Sequence, residues 1–234
     1  MIALLRSLLF TAVFYLGSVP IVSGAAIASL ISYPALQFMS RLWAQWFYVT
    51  ARVLLGVRLK IEGNVPQHSV IVAAKHQSAY ETIMTLALFN APAVVMKAEL
   101  MNIAVWGYVA RRQGAIPVDR DASTTAMRAM MRAASEAKAA DRPVIIFAEG
   151  TRVPVGEEPA LKPGFAGLYR MLKLPVVPVA LDSGKVWPKG LVKHAGVITM
   201  RFGEPIPPGL PREEIEARVH AAINAPVGAG AVAL

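Results

Sequence analysis

Cysteine is absent from this chain of 234 residues, and charged side chains are scarce. Without a thiolate the protein can have no disulfide scaffold, no cysteine-ligated zinc site and no cysteine nucleophile. Charged residues make up 17% of the sequence and hydrophobic residues 55%. Disordered chains have the reverse balance, so the sequence predicts a folded protein with a large core.

Negative charge is also absent from the N-terminal part, where no aspartate or glutamate precedes Glu62. The stretch between Arg6 and Arg41 has no charge of either sign, and it is longer than the roughly 20 apolar residues of a membrane helix. Small residues and a proline between residues 17 and 20 interrupt the stretch, so we expect two shorter helices. These are Leu4–Leu16 and Ile21–Tyr33.

We interpret residues 1–56 as a retained, membrane-associated helical anchor. A kinked spanning helix and a hairpin in one leaflet both agree with the interruptions. Trp43, Trp46, Phe47 and Tyr48 follow among arginines, as residues at a membrane interface do. A cleaved signal peptide is the main alternative, and a buried helix pair in a soluble protein is the other. Because arginine and lysine follow the apolar stretch, we expect the remaining chain at the cytoplasmic face of a bacterial inner membrane.

A formal net charge of +9 predicts an anionic partner. The cations are dispersed along the chain, and the aromatic residues are concentrated in the N-terminal part. Nucleic-acid binding is therefore not expected, since it favours basic and aromatic residues that alternate. A membrane surface or a phosphorylated substrate fits the charge better.

After residue 57, short apolar runs alternate with helical patterns. This predicts an α/β fold with a mostly parallel central sheet flanked by helices, in one domain from 57 to 224, followed by a loose tail from 225 to 234. The predicted strands are Val70–Ala74, Val94–Met96, Ile116–Val118, Pro143–Ala148, Val176–Leu181 and Val197–Phe202. The predicted helices are Glu81–Leu88, Thr124–Ala139, Phe165–Leu172 and Glu213–Ile223.

Ligands of α/β domains bind where strands end, and His76 follows the first of these strands. If His76 lies in the loop and Glu81 in the first turn of the next helix, the carboxylate can reach one imidazole nitrogen. The other nitrogen is then left as a general base. The alternative is a helix cap in which Glu81 is an ordinary N-terminal acid, and the spacing alone favours that alternative.

Polar residues also follow the strand Pro143–Ala148, where Glu149, Gly150, Thr151 and Arg152 form one turn. A glycine lets a ligand approach the backbone, and an arginine binds phosphate oxygens with two hydrogen bonds. The turn is thus a candidate phosphate site. The alternative is a plain turn closed by a Glu149–Arg152 ion pair.

Two more cations, Arg120 and Lys97, stand at the ends of other predicted strands. Both suit a phosphate. An ion pair with the flanking aspartates is an equal alternative for Arg120, and a solvated strand end is the alternative for Lys97. The other three histidines are scattered without ligand spacing, so we predict no metal site.

Four segments resemble, in order, the four sequence blocks of the glycerolipid acyltransferases. Residues 76–81 resemble H-x-x-x-x-D, residues 114–120 resemble G-x-I-P-V-x-R, residues 147–152 resemble F-P-E-G-T-R, and residues 177–180 resemble an apolar V-P-V strand. Three positions depart from the family pattern. Glu81 replaces an aspartate, Ala148 a proline, and Lys75 the usual asparagine.

The resemblance implies an enzyme that moves a fatty acyl group from acyl-CoA or acyl-carrier protein to the free sn-2 hydroxyl of lysophosphatidic acid. The product is phosphatidic acid, a phospholipid precursor. His76 and Glu81 are the implied catalytic pair. The implied partners are the lysolipid, the acyl thioester and membrane lipids, with no cofactor beyond the thioester. The implied substrate-binding residues are Arg120, Glu149, Gly150, Thr151, Arg152 and Lys97.

Two other functions agree with part of the sequence. A related acyltransferase acting on glycerol 3-phosphate or another lysolipid shares the four blocks. A non-catalytic membrane protein that binds anionic lipid needs the basic charge but not the pair of His76 and Glu81.

Overall fold

A computed structural model describes residues 1–118 and 124–227 of the chain. The helices are α1 (Ile2–Ile31), α2 (Tyr33–Thr50), α3 (Ala79–Leu88), α4 (Ala104–Gln113), α5 (Thr124–Ala139), α6 (Pro163–Leu172), α7 (Ser183–Val186) and α8 (Arg212–Ile223). The strands are β1 (Val57–Glu62), β2 (Ile71–Ala74), β3 (Ala93–Lys97), β4 (Ile116–Val118), β5 (Val144–Phe147), β6 (Val176–Leu181) and β7 (Gly196–Phe202). A π-helical turn, Ala51–Leu55, extends α2, and a 3-10 helix, Ala98–Asn102, follows β3.

The strands form one seven-stranded sheet in the order β1-β7-β6-β2-β5-β3-β4. Neighbouring strands are parallel, except that β6 and β7 are antiparallel. Strands β2, β5 and β6 are buried along their whole length, as strands covered on both faces are. The predicted α/β fold with a mostly parallel sheet is therefore confirmed.

The sheet places the polar residues along one edge. In parallel strands the carboxyl ends lie together, and the loops after them form the ligand-binding edge. His76 follows β2, Glu149 follows β5, Ser183 follows β6, and Lys97 closes β3. Side chains that are distant in sequence thus meet at this edge.

The N-terminal segment is a helical hairpin of α1 and α2, and the prediction of two helices, Leu4–Leu16 and Ile21–Tyr33, is wrong. Helix α1 is continuous through Pro20, and the break lies at Ser32, whose side chain caps α2. The small residues that suggested a break allow α2 to pack closely instead. A Cβ atom at Gly17 would lie 2.5 Å from the Trp46 ring.

Aromatic side chains join the hairpin to the α/β unit. Phe14 and Phe47 lie in one buried cluster with Tyr80 and Trp187. The Trp43 indole donates a hydrogen bond to Ser18 Oγ, and the Trp46 indole donates to the Phe14 carbonyl. Phe47 is buried in this cluster, so the expectation that it anchors a membrane interface is wrong, whereas the same expectation for the partly exposed Trp43, Trp46 and Tyr48 stays a prediction.

Both ends of α1 contact the α/β unit. Near its start, Ser7 Oγ accepts a hydrogen bond from the Lys193 N–H at 2.8 Å. Near its end, the Ser29 carbonyl accepts one from the Arg112 guanidinium at 2.9 Å. At 1.5 Å per residue these serines are about 33 Å apart along the helix. Helix α1 therefore lies along the α/β unit and does not project from it.

The outer face of α1 is apolar and exposed. Within the described residues, α1 is the one helix whose length and composition would allow it to cross a membrane. Its exposed large side chains include Leu5, Leu9, Leu16, Val19, Ile27 and Leu30.

The remaining predicted strands and helices agree with the structure to within two residues at each end. The sequence pattern missed α2, α4, α7 and β1. The predicted division into residues 1–56, 57–224 and 225–234 stays a prediction, and residues 228–234 lie outside the described residues.

Candidate active site

The loop after β2 carries His76 into the first turn of α3. Ser78 is the N-cap of this helix, and its hydroxyl accepts a hydrogen bond from the Tyr80 N–H at 3.0 Å. Glu81, in the first turn, accepts one in return from the Ser78 N–H at 2.6 Å. The sequence Ser-x-x-Glu is the pattern of a capping box, so residues 78–81 themselves set the start of the helix.

The same carboxylate contacts the imidazole. Glu81 Oε1 lies 3.0 Å from His76 Nδ1 and also accepts the Gln77 N–H at 2.7 Å. The other oxygen, Oε2, accepts hydrogen bonds from the hydroxyls of Ser78 and Ser183, the latter at 2.7 Å. The two alternatives for Glu81, helix cap and histidine partner, are therefore both realised by one side chain.

Hydrogen bonding decides the ionisation state of Glu81. Burial on its own would raise the pKa of this fully buried carboxyl group. Hydrogen bonds from His76 and Ser78, together with the attraction of His76, outweigh burial and hold the pKa of Glu81 below its ordinary value. Glu81 is thus a carboxylate at neutral pH, able to stabilise an imidazolium.

The imidazole of His76 is fixed on one side and open on another. Its ring stacks on Phe147, with centroids 4.3 Å apart and an angle of 29° between the planes. With Nδ1 bound to Glu81, the second nitrogen, Nε2, contacts no polar group of the described chain. A nitrogen held in this way can accept a proton from a bound hydroxyl.

Glu149 is buried beside the histidine. One oxygen accepts a hydrogen bond from Lys75 Nζ at 2.9 Å, and the other accepts the His76 N–H at 3.0 Å. The turn with a Glu149–Arg152 ion pair is therefore not what forms, because the ion-pair partner of Glu149 is Lys75. Gly150 adopts φ +69°, a backbone conformation that favours glycine.

The candidate phosphate ligands differ in their surroundings. Thr151 and Arg152 are exposed, and no carboxylate within residues 1–118 and 124–227 pairs with the Arg152 guanidinium. Lys97 is half-exposed and pairs with Glu99 at 2.8 Å. The main chain after Arg152 contacts the main chain of His76, since the Val153 N–H donates to the His76 carbonyl at 2.7 Å. Arg120 lies outside the described residues.

The sequence analysis did not select several residues that lie at or near the site. Ser183 binds Glu81, and the neighbouring Gly184 N–H donates to the Gln77 side chain at 2.9 Å. Ser183 follows the strand β6, so the strand-end rule that selected His76 would also have selected it. Lys193 is a second missed residue, with its ammonium bound to two carbonyls and lying over the Trp187 ring. Burial lowers the pKa of Lys193, and the charge of Arg152 lowers it further, so these two cations reinforce each other's field.

An apolar cavity lies between the hairpin and the α/β unit. Side chains from α1, α2, β3 and α4 line it, and its walls are almost entirely carbon. Its larger lining residues are Met39, Trp43, Val94, Met96, Trp106 and Val109.

Comparison with known proteins gives consistent matches. The model of the family described as "Acyltransferase" matches residues 56–182. The 1-acyl-sn-glycerol-3-phosphate acyltransferase of Pseudomonas aeruginosa is 31% identical over 170 residues, which cover 71% of this chain and 66% of that protein. The protein of the same name from Saccharomyces cerevisiae is 29% identical over 175 residues, covering 70% and 58%. The alignments thus span less than two thirds of the length of these relatives.

A solved structure shares the whole fold. The crystal structure of the 1-acyl-sn-glycerophosphate acyltransferase PlsC from Thermotoga maritima superposes with a TM-score of 0.77 and covers 94% of each chain, at 23% sequence identity. At this identity the match establishes the fold, including the helical hairpin, rather than the substrate.

Proposed function

This chain belongs to the acyltransferase family, and from that membership we propose that it transfers a fatty acyl group from an acyl thioester to the sn-2 hydroxyl of 1-acyl-glycerol-3-phosphate, giving phosphatidic acid. The observation that carries the proposal is the imidazole of His76, bound at Nδ1 by the buried carboxylate of Glu81 and open at Nε2. That arrangement activates a hydroxyl, and a lysolipid supplies one.

The reaction follows from this geometry. Nε2 of His76 accepts the proton of the lysolipid hydroxyl while its oxygen attacks the thioester carbonyl. Glu81 keeps its charge throughout and stabilises the imidazolium. The tetrahedral intermediate then expels the thiolate, which takes the proton back from His76. No covalent enzyme intermediate forms, because the acceptor hydroxyl is itself the nucleophile.

The phosphate is assigned to the cations near the turn after β5. Arg152 is exposed beside His76 and has no carboxylate partner in the described chain, so its guanidinium is available for phosphate oxygens. Lys193 adds positive field beside it. Arg120, from the second sequence block, and Lys97, from its place at the end of β3, complete the proposed set.

The residues of the turn after β5 have different proposed roles. Both oxygens of Glu149 bind groups of the protein, so we assign Glu149 to the support of His76 rather than to the substrate. The Gly150 N–H donates to the Phe147 carbonyl at 2.9 Å, which removes it as an oxyanion donor. Thr151 stays a candidate for substrate binding.

We assign the α1–α2 hairpin to one leaflet of a membrane. A domain on one side of a bilayer cannot contact both ends of a spanning helix, yet the α/β unit binds α1 at both Ser7 and Ser29. The exposed apolar face of α1 would then enter the lipid, parallel to the surface. The cytoplasmic side of a bacterial inner membrane is the proposed location.

We assign the apolar cavity beside the hairpin to part of an acyl chain, since its free volume of about 50 Å³ is too small for a whole chain. Carbon-lined cavities without polar groups bind apolar ligands. The cavity borders both the hairpin and the sheet, so a lipid could enter it from the leaflet.

The direct test is to incubate the purified protein with lysophosphatidate and a series of acyl-CoA and acyl-carrier-protein thioesters, and to analyse the lipids by mass. We expect phosphatidic acid from lysophosphatidate, and much less product from glycerol 3-phosphate or lysophosphatidylcholine. Faster acylation of glycerol 3-phosphate would favour the related acyltransferase. Vesicle binding without any acylation would favour the lipid-binding alternative and contradict the proposal.

The membrane assignment is tested by flotation with anionic vesicles. Leu16→Glu places a charge on the outer face of α1, where the side chain is 73% exposed, and should reduce the bound fraction. Val197→Glu on β7, where the side chain is 50% exposed, is the matched control and should leave the bound fraction unchanged. Equal binding by Leu16→Glu would contradict the assignment.

A further inference from the structure

A second set of buried polar groups lies beside His76, separate from those around Glu81. Lys75, the residue before His76, donates to Glu149 Oε1 at 2.9 Å, to the Glu157 carbonyl at 2.9 Å and to Asn224 Oδ1 at 2.5 Å. An ammonium group has three N–H donors. Lys75 therefore has none left for a substrate.

The ion pair continues into the main chain of the histidine. The second oxygen of Glu149 accepts the His76 N–H at 3.0 Å, and the Val153 N–H donates to the His76 carbonyl at 2.7 Å. Both main-chain polar groups of His76 are thus held by the turn after β5. A displacement of the Glu149 side chain should therefore also displace the main chain of His76.

We propose that Lys75 and Asn224 are positioning residues, which act through Glu149 to hold the His76 main chain where its imidazole meets the acceptor hydroxyl. The inference rests on the proposed acyl transfer, for which it names two further residues. Asn224 ends α8, so the C-terminal helix takes part in aligning the site. Residue 224 lies outside the segment that matches the family model, and Lys75 stands where the family usually has asparagine.

Burial restricts the geometry of the Lys75–Glu149 ion pair. Lys75 is 5% exposed and Glu149 is 1% exposed, so neither charge can be solvated if the pair opens. Asn224 is itself fixed, because its amide donates to the His220 carbonyl at 2.8 Å and so points its oxygen at Lys75. The buried Lys75–Glu149 pair and the partly buried Asn224 thus form a hydrogen-bonded network that restricts the arrangement of Glu149.

Kinetics of Lys75→Met and Asn224→Ala test the proposal. Since a small misplacement of a catalytic group is costly, we expect kcat to fall about tenfold to a hundredfold in Lys75→Met and about threefold to tenfold in Asn224→Ala. The KM for lysophosphatidate should stay within about twofold, because neither side chain contacts the substrate. Lys60→Met is the matched control: it removes a Lys–Glu pair of the same 2.9 Å length on the edge strand β1 and should leave kcat unchanged.

Hydrogen exchange supplies a readout that does not depend on turnover. In Lys75→Met and Asn224→Ala the amide of residue 76 should exchange faster than in the wild type, while the amides of β5 keep their protection. If Lys75→Met does not fold, the kcat of Asn224→Ala and its hydrogen exchange at residue 76 test the proposal on their own. Unchanged kcat and unchanged exchange at residue 76 would overturn the proposal, as would a loss of activity that merely follows the folded fraction.

The two proposals fail in different ways. If the wild type forms no phosphatidic acid, the proposed acyl transfer is wrong, while exchange at residue 76 still reports on the cluster. If the wild type is active and both variants match it, the acyl transfer stands and the positioning role is wrong.

Discussion

Glu81 and Arg152 belong to neighbouring loops at the carboxyl edge of the sheet, and their surroundings are opposite. The carboxylate of Glu81 is fully buried and takes hydrogen bonds from His76, from two main-chain amides and from two hydroxyls. Arg152 is exposed and pairs with no carboxylate of the described chain. The hydrogen bonds of Glu81 are thus satisfied within the protein, whereas the Arg152 guanidinium is left available to a ligand.

Under the proposed acyl transfer, this contrast separates the groups assigned to chemistry from the group assigned to phosphate binding. A base must be aligned before the substrate arrives, so its supports are built into the fold. A cationic side chain that binds phosphate must be free of a carboxylate partner in the empty site. The phosphate then forms a new ion pair without first breaking an existing one. Substitutions around Glu81 should therefore act on kcat, and substitutions at Arg152 on KM.

The largest effect is expected at the base itself. His76→Ala removes the proton acceptor and should lower kcat by about a hundredfold to ten-thousandfold, the usual contribution of general acid–base catalysis. The KM for lysophosphatidate should change little. The measurement is phosphatidic acid formation by folded protein, with circular dichroism as the check on folding. Turnover near that of the wild type would refute the role of His76.

Arg152→Ala should show the opposite kinetic signature. Hydrogen bonds to a charged group contribute about 1.5–3 kcal/mol, so the KM for lysophosphatidate should rise by about tenfold to a hundredfold while kcat changes little. Arg218→Ala, on the exposed side of α8 and paired with Glu214, is the matched control. A fall in kcat at constant KM would remove the distinction between the two parts of the site.

The strand-end rule explains how much of this site the sequence predicts. Apolar runs followed by polar residues identified β2 and β5, and with them His76, Glu149 and Arg152. Local spacing permitted a contact between His76 and Glu81 but favoured the helix-cap alternative, and it was the resemblance to the acyltransferases that implied the pair. The sequence therefore predicts the chemistry that depends on neighbours along the chain.

Contacts between distant segments were not predictable in this way. Ser183 is 102 residues from Glu81, and Asn224 is 149 residues from Lys75, so only the packed fold shows that they meet. The predicted bounds of the two N-terminal helices were wrong for a related reason. Gly17 suggested a helix break, but its small size is required by the Trp46 ring of the facing helix, and helix packing outweighs local propensity there.

Ser183→Ala examines the buried part of the site by a smaller change. It removes one donor to Glu81 Oε2, so we expect the free energy of unfolding to fall by about 1.5–3 kcal/mol. We also expect kcat to fall by up to about tenfold, because the carboxylate loses part of its alignment. Ser29→Ala is the matched control, since Ser29 is a buried serine of the hairpin that binds the Tyr108 hydroxyl. Ser29→Ala should lose stability without losing kcat, and equal kcat losses in both variants would mean that Ser183 is only structural.

The smallest expected effect is a change with pH in the free energy of unfolding that is caused by the titration of Glu81. Hydrogen bonding outweighs burial and holds the pKa of Glu81 below 4.5 in the folded protein. The unfolded chain thus binds this proton more readily, so the contribution of Glu81 to stability is complete above its ordinary pKa and is lost as the pH falls through the folded value. The difference in unfolding free energy between the wild type and Glu81→Gln should therefore stay constant from about pH 7 to about pH 5 and shrink as the pH falls further. Glu136→Gln, at a position 72% exposed on α5, is the matched control for the substitution itself. If the Glu81→Gln difference were constant or grew in acid, the carboxylate would not be held in its charged form by the bonds around it, and the contrast with Arg152 would lose its physical basis.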